Sequence, residues 1–478
     1  MWILFFVALC CLYLYTRVRL YPGKFPIYPG GIPLLGNVSL FSGDTEKAWE
    51  NIKKIVKFSF DNGDIVLIYF GPIPFYIITD PDDCNTVLTS CMHRAGIAKK
   101  FAKTFVGNGL IFGPVSVWKE HRKLINPTFN QQVLDGFIET FNSQSRRLVL
   151  ELQEYAGKDS FNQHVCLEKN ALETVCLTTA GVDLTDQNEF NKKCVMAFRG
   201  VLDTIAKRGM KPLLHFDCFY NISNMKKEEL HHVKITHELT NIVLRRKLER
   251  QDKEQNDKSD TKFKPFLDRL LELDKLSTQD LRDEVNTMIL AGFETTSAIL
   301  SYCLLLLGTH NRIQEKCYQE INEVFGDSDR DVTKDDLPRL KYIEMVLKET
   351  MRLCTVVPYT TRVITEDLQL KNAVLRKGHL CFVGLYGAMH HPTWGPDVEQ
   401  FVPERWLDTS SLNPNAFAAF GHGRRNCVGK VYAMMTMKVS MVHILRAYRV
   451  KGDYHKMRLK NLPINKPVDG HQITLFNR

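Results

Sequence analysis

No Cys-x-x-Cys pair and no zinc-type ligand spacing occurs anywhere in the 478 residues. The thirteen cysteines are odd in number and scattered, so they read as reduced, cytosol-facing thiols, not as a disulfide framework. Long Lys/Arg tracts and basic repeats interleaved with aromatics are also missing, although the formal charge is +9 and the pI about 8.8. Nucleic acid is therefore a poor partner; a basic surface meeting an acidic protein or an anionic membrane fits better. Strand signal is scarce too. In the N-terminal half it is confined to residues 64–80, two apolar runs joined by a Gly-Pro turn at Gly71-Pro72. At 55.1 kDa the chain can still bury a large core, as one big domain or two or three smaller ones.

What is present begins with residues 1–16, MWILFFVALCCLYLYT, followed by Arg17, Arg19 and Lys24. Sixteen helical residues span about 24 Å, slightly short of a bilayer core, and Val18, Leu20 and snorkelling arginines make up the difference. A cleaved signal would carry a basic n-region and a small-x-small site, and both are lacking. An uncleaved anchor over residues 1–20 is the expectation, with the following chain on the cytosolic side. Prolines 22, 26, 29 and 33 with Gly23, Gly30 and Gly31 forbid helix over 21–37 and predict a stiff hinge.

Trp118 and Arg122 stand i, i+4 on a helix that closes at Asn126-Pro127. By themselves they are a surface stack. Residues 244–264 are rich in charge and read as a solvated helix end and mobile loop. The sequon Asn221-Ile222-Ser223 carries no meaning on a cytosolic face. Ser277 to Asp280 has capping-box form and opens a long helix to about Gly308. Its middle, Ala291-Gly292-Phe293-Glu294-Thr295-Thr296, places a glycine and paired β-branched hydroxyls where a good helix former belongs. A Thr hydroxyl there can capture a backbone carbonyl and leave room for water or dioxygen, and Glu294 in so apolar a run needs a partner or a function. The bland reading is a small-residue packing notch. Glu349 and Arg352, at i, i+3, are on the same footing an ordinary surface pair.

Near the C-terminus, Phe420-Gly421-His422-Gly423-Arg424-Arg425-Asn426-Cys427-Val428-Gly429 puts one cysteine at the entrance of an apolar helix. Unsatisfied N–H groups and the dipole favour its thiolate. Such a thiolate suits axial ligation of haem iron, glycines let the backbone approach a flat ring, and Arg425 can pair with a propionate. A lone buried cysteine is more often an inert hydrophobe.

The pattern F-x-x-G-x-R-x-C-x-G resembles the haem-binding signature of the cytochrome P-450 family. Trp118/Arg122 matches its W-x-x-x-R, Ala291 to Thr296 its A-G-x-[DE]-T-[TS], Glu349/Arg352 its E-x-x-R, and Pro358 to Arg362 its P-x-x-x-R. The resemblance implies a mainly α fold with a smaller β part: haem lies between the long helix and the cysteine loop, behind a membrane anchor, in one catalytic domain over 38–478. It implies Cys427 as iron ligand, with Arg425, Trp118, Arg122, Arg362, Phe420, Ala291, Gly292 and Gly429 around the haem. Thr295 and Glu294 would manage protons on the distal side, and Glu349, Arg352 and Arg405 would form a buried structural triad. His390 and His391 are expected to be structural, for want of a third metal ligand. The implied cofactors are haem b and, indirectly, NADPH through NADPH-cytochrome P-450 reductase, with cytochrome b5 as a further donor. Lys119, Lys123, Arg424 and Lys430 offer the reductase a basic patch. The implied location is the endoplasmic reticulum membrane. The substrate class is apolar (fatty acid, hormone or foreign compound), and the closest likeness is to the insect-like clan with fatty-acid ω-hydroxylases. Ala291 stands where many of those enzymes carry the Glu that esterifies haem, so the porphyrin is expected to be non-covalent. Ala419 and the run Leu353-Cys354-Thr355 replace usual prolines beside the pocket. Two other readings stand: a haem-thiolate isomerase or dehydratase, which would tend to lack the acid-Thr pair, and a non-catalytic haem or lipid binder.

Overall fold

The computed structural model describes residues 10–16, 23–184, 187–254, 266–273, 275–460 and 463–478. Residues 10–16 are helical; the rest of the expected anchor lies outside the described residues, as does the charged stretch beyond Glu254. The chain is about 59 % helical.

Helix α1 (Thr45–Asp61) leads into the expected strand pair, β1 (Ile65–Phe70) and β2 (Ile73–Ile78), antiparallel with Ile65 opposite Ile78. Asp80 caps α2 (Pro81–Ser90) and α3 is Gly96–Val106. The motif-bearing helix α4 (Val115–Ile125) ends at the Asn126-Pro127 turn, as its sequence dictates. Then come α5 (Ile138–Gln153), α6 (His164–Ala180), α7 (Asn188–Met210), α8 (Asn224–Glu254) and α9 (Phe266–Leu273).

The organising element is α10 (Thr278–Thr309), opened by the Ser277 hydroxyl accepting from Asp280 N–H at 3.1 Å. Among the described residues it alone is long and apolar enough to cross a membrane, yet 83 % of its apolar window is buried inside the molecule. It is a core helix. Helices α6, α11 (Asn311–Phe325), α12 (Lys341–Leu353) and α13 (Lys430–Ala447) pack around it and share one hydrophobic core.

Strands β3 (Thr360–Val363) and β4 (Leu380–Val383) join the N-terminal pair in a sheet of order β1-β2-β4-β3. β4 runs parallel to β2, with Phe75 opposite Leu380. After α13, β5 (Tyr448–Gly452) and β6 (Gln472–Asn477) form the antiparallel C-terminal sheet. This sheet bears on α10 itself: a Cβ on Gly308 would lie 2.6 Å from the Gly452 nitrogen, so only glycine permits that crossing.

Candidate active site

The cysteine loop is shaped by its glycines. Gly421 and Gly423 adopt φ +66° and +68°, and a Cβ on Gly423 would stand 2.5 Å from the Leu88 carbonyl oxygen. The loop folds back as the Cys427 N–H donates to the Phe420 carbonyl at 2.8 Å, then enters α13. Phe420 is half-buried beside Phe417. A Cβ on Gly429 would make only ordinary contact with Cys427 Sγ at 4.0 Å, so it is the N–H of Gly429, directed at the sulfur, that matters there.

Cys427 has high accessible area, yet desolvation by surrounding protein is the main influence on its thiol and raises its pKa. The sulfur is thus accessible although protein atoms crowd around it. The Gly429 N–H and the charges of Arg122 and Lys430 pull the other way without prevailing. The helix N-terminus predicts a favoured thiolate; burial outweighs that pull and raises the thiol.

Opposite lies α10. From Asp283 to Gly308 every residue is buried except Ala291, Gly292 and Thr295. Ala291 and Thr295 are i, i+4 neighbours on one face and open a notch there. The Thr295 hydroxyl donates to the Ala291 carbonyl at 2.8 Å. Gly292 serves a different purpose: a Cβ there would meet Val175 of α6 at 2.8 Å, so its smallness lets the two helices cross closely. Glu294 is fully buried and ion-paired with Lys466, in a cluster that includes Glu168 and Arg199. The expected proton-relay carboxylate thus has a partner on the far side of the helix.

Three arginines converge nearby. Arg94 and Arg362 both donate to the Thr360 hydroxyl, at 3.2 and 3.0 Å. Arg425 lies 4.8 Å over the buried Trp118 ring and donates to the Gly113 carbonyl at 3.0 Å. Burial, then the charges of Arg362 and Arg425, push Arg94 down to about 9, and burial and Arg362 push Arg425 down to about 10. The Nε atoms of all three, and Nη1 of Arg425, are buried without a hydrogen-bond partner. No carboxylate among the described residues pairs with any of them. Buried cations with orphaned donors mark a receptor for an anion.

Arg94 was not among the residues the sequence singled out. It stands alone before α3 with no motif spacing, and only contact with Thr360, far along the chain, brings it in. Arg122 donates to the Asn426 carbonyl at 2.9 Å and side-chain oxygen at 3.0 Å, bracing the cysteine loop from α4.

The triad assembles as expected. Glu349 receives Arg352 at 2.8 and 2.9 Å, Arg405 Nε at 3.3 Å and Trp406 Nε1 at 3.0 Å. His390 is held by the Tyr386 carbonyl, and burial pushes it down to about 3. His391 does have acidic neighbours, Asp64 and Asp80. Asp80, however, is spent on capping α2 and pairing with Lys371, which leaves His391 structural.

The cytochrome P450 family model matches residues 26–472. The chain belongs to the cytochrome P450 family. It is 31 % identical over 432 residues to mouse cytochrome P450 4V2, covering 87 % of this chain and 82 % of the relative. Cytochrome P450 4c21 of the cockroach Blattella germanica is 31 % identical, with 87 and 86 % covered. Cytochrome P450 4c3 of Drosophila melanogaster is 27 % identical over 97 and 91 %. As a P450 the protein is a haem-thiolate monooxygenase: its cofactor is haem b on a cysteine thiolate, and NADPH supplies electrons through a reductase. The residues fit that cofactor: the arginine cluster lacks an anion of the kind two propionates provide, and the loop that carries Arg425 also presents an accessible cysteine sulfur.

Proposed function

We propose that this P450 is a membrane-bound monooxygenase of apolar substrates (a fatty acid, hormone or foreign compound), with haem held between Cys427 and the Ala291/Thr295 notch. The arginine cluster with its unsatisfied donors carries the reading. Arg94, Arg362 and Arg425 would take the propionates above Trp118, while Arg122 and Gly429 hold the cysteine loop in register. Bound there, haem supplies dioxygen activation and transfer of one oxygen atom. The Thr295 hydroxyl donates its hydrogen bond to the Ala291 carbonyl, so its oxygen lone pairs stay free to accept from a water or a proton donor in the notch. Glu294 can move a proton toward Thr295 only on leaving Lys466, which makes Lys466 the natural brake on that role. Ala291 offers no carboxylate for an ester link, so the porphyrin is held by coordination and charge.

The membrane reading rests on the apolar run at 1–16 and on a second surface. Leu213, Phe216, Phe219 and Ile222 are 69, 62, 50 and 81 % exposed along one short segment, a local concentration of exposed apolar side chains of the kind that meets a membrane or another protein. Residues 1–20 are assigned as the anchor, 21–37 as the hinge and 38–478 as the haem domain. The reductase would meet Lys119, Lys123, Arg424 and Lys430, with cytochrome b5 as an alternative donor.

The test is a dithionite-reduced, CO-bound spectrum, followed by a substrate-difference screen and NADPH consumption with reductase. A thiolate-type Soret band, spin-state shifts with lipids and substrate-dependent NADPH use are expected. Turnover without NADPH would point to an isomerase instead. Arg94→Leu is expected to weaken haem affinity about 10–100-fold, the loss of one charge-assisted hydrogen bond. Haem titration checks this. The haem-free protein should be no less stable than wild type, because a repelling cation has gone.

A further inference from the structure

Between α3 and α4 the chain crosses the start of α10 in a loop, residues 107–113, whose glycines allow unusually close seating. A Cβ on Gly107 would lie 2.0 Å from the Asp283 carboxylate, and one on Gly109 2.1 Å from the Thr287 hydroxyl. Two adjacent acids of α10 receive the loop. Asp283 accepts the Asn108 N–H at 2.7 Å, and Glu284 accepts the Leu110 N–H at 3.2 Å. The other Glu284 oxygen meets His121 Nδ1 of α4 at 2.7 Å, with both side chains buried. Burial lowers the His121 pKa, but the hydrogen bond and charge of Glu284 outweigh it and leave it raised. Three residues past Leu110, Gly113 is tied back to Gly109 at 2.8 Å, and its carbonyl accepts from Arg425. Among the described residues no hydrogen bond or ion pair joins His121 or Glu284 to Cys427 or to the arginine cluster, and the mechanism above does not use them.

We propose that His121 and Glu284 are positioning residues for haem retention: together they seat loop 107–113 on α10, so that the Gly113 carbonyl aims Arg425 into the anion-binding cluster. An acid in mid-core joined to a histidine on the neighbouring helix is costly unless it organises something. Here it fixes α4, the loop and α10 at one point. This inference rests on the haem site as proposed above.

The experiment is a double-mutant cycle on the full-length holoprotein, read as the rate of haem transfer to an excess of haem-scavenging apoprotein. Glu284→Ala and His121→Ala should each release haem at least about tenfold faster than wild type, the effect of one lost charge-assisted bond. Arg425→Leu should be faster still, and adding Glu284→Ala to it should change the rate little. Glu284→Gln, which keeps an acceptor and a donor, should restore most of the retention. Independent, multiplicative effects of Glu284→Ala and Arg425→Leu would overturn the proposal, and so would a folded Glu284→Ala protein that keeps haem as wild type does. If Glu284→Ala fails to fold, His121→Gln takes its place in the cycle with the same two readings. Wild type that takes up haem without a thiolate-type band, or takes up none, would sink the site assignment and this inference together.

Discussion

Cys427→Ala protein is expected to lose the thiolate-type CO band completely, and monooxygenation with it. The sulfur is the one soft ligand that the loop presents, and as the proposed iron ligand it would supply the electron push that favours O–O cleavage. No neighbouring cysteine can replace it. Cys84, Cys91, Cys166, Cys176, Cys194, Cys303, Cys317, Cys354 and Cys381 are all buried in packing, while Cys218 is exposed on the short segment with Phe216 and Phe219. The arginine cluster is untouched, so some haem should still bind, with a spectrum of a different ligand class. Persistence of the wild-type band in this variant would remove the ligand assignment.

The second large effect is on folding. Glu349→Gln should destabilise the protein by about 3–5 kcal/mol, the usual result of breaking a buried charged set, against a total stability of about 5–15 kcal/mol. The geometry explains why. Arg352 is fully buried, and its N–H groups divide between Glu349 and the carbonyls of Met389, Val398 and Gln400. Glu349 in turn also receives the Val402 N–H at 3.2 Å. Neutralising the acid strands Arg352 in the core without a carboxylate and leaves Arg405 only Asp397, at 3.0 Å. The comparison is Glu50→Gln, whose i, i+3 partner Lys53 is 2.7 Å away with the pair's side chains 50 and 40 % exposed. That change should cost under about 1 kcal/mol. Denaturant midpoints of the two variants decide the matter; equal midpoints would mean that Glu349 is not the keystone of that corner.

What was legible in the chain was whatever a short motif or a periodicity encodes. The cysteine loop, the long helix from Thr278, the strand pair and the Glu349/Arg352 pair all declare themselves within a few residues. The partners they meet across the fold do not. Nothing near Arg94 marks it as a third cation, because its place is fixed by Thr360, 266 positions away. Gly292 carries a family motif, but the physical demand for glycine comes from Val175, on a helix whose pattern is weak. Glu294 reads as a proton carrier until Lys466 arrives from the far end of the chain. Arg122 was matched by spacing to a propionate role, while its observed partner is Asn426, a residue of the loop it braces. Long-range ion pairs and steric limits are properties of topology, and a single sequence holds them only implicitly.

The parallel pairing of Ile73–Ile78 with Leu380–Val383 has a consequence for biosynthesis. The first strand pair emerges early from the ribosome, but its open side finds its neighbour only after residue 380 of 478 has been translated. For most of that interval an apolar strand edge waits unpaired, a template for sticking to other nascent chains. Truncated or slowly translated copies should therefore be the ones that need chaperones, since no local hairpin can close that gap.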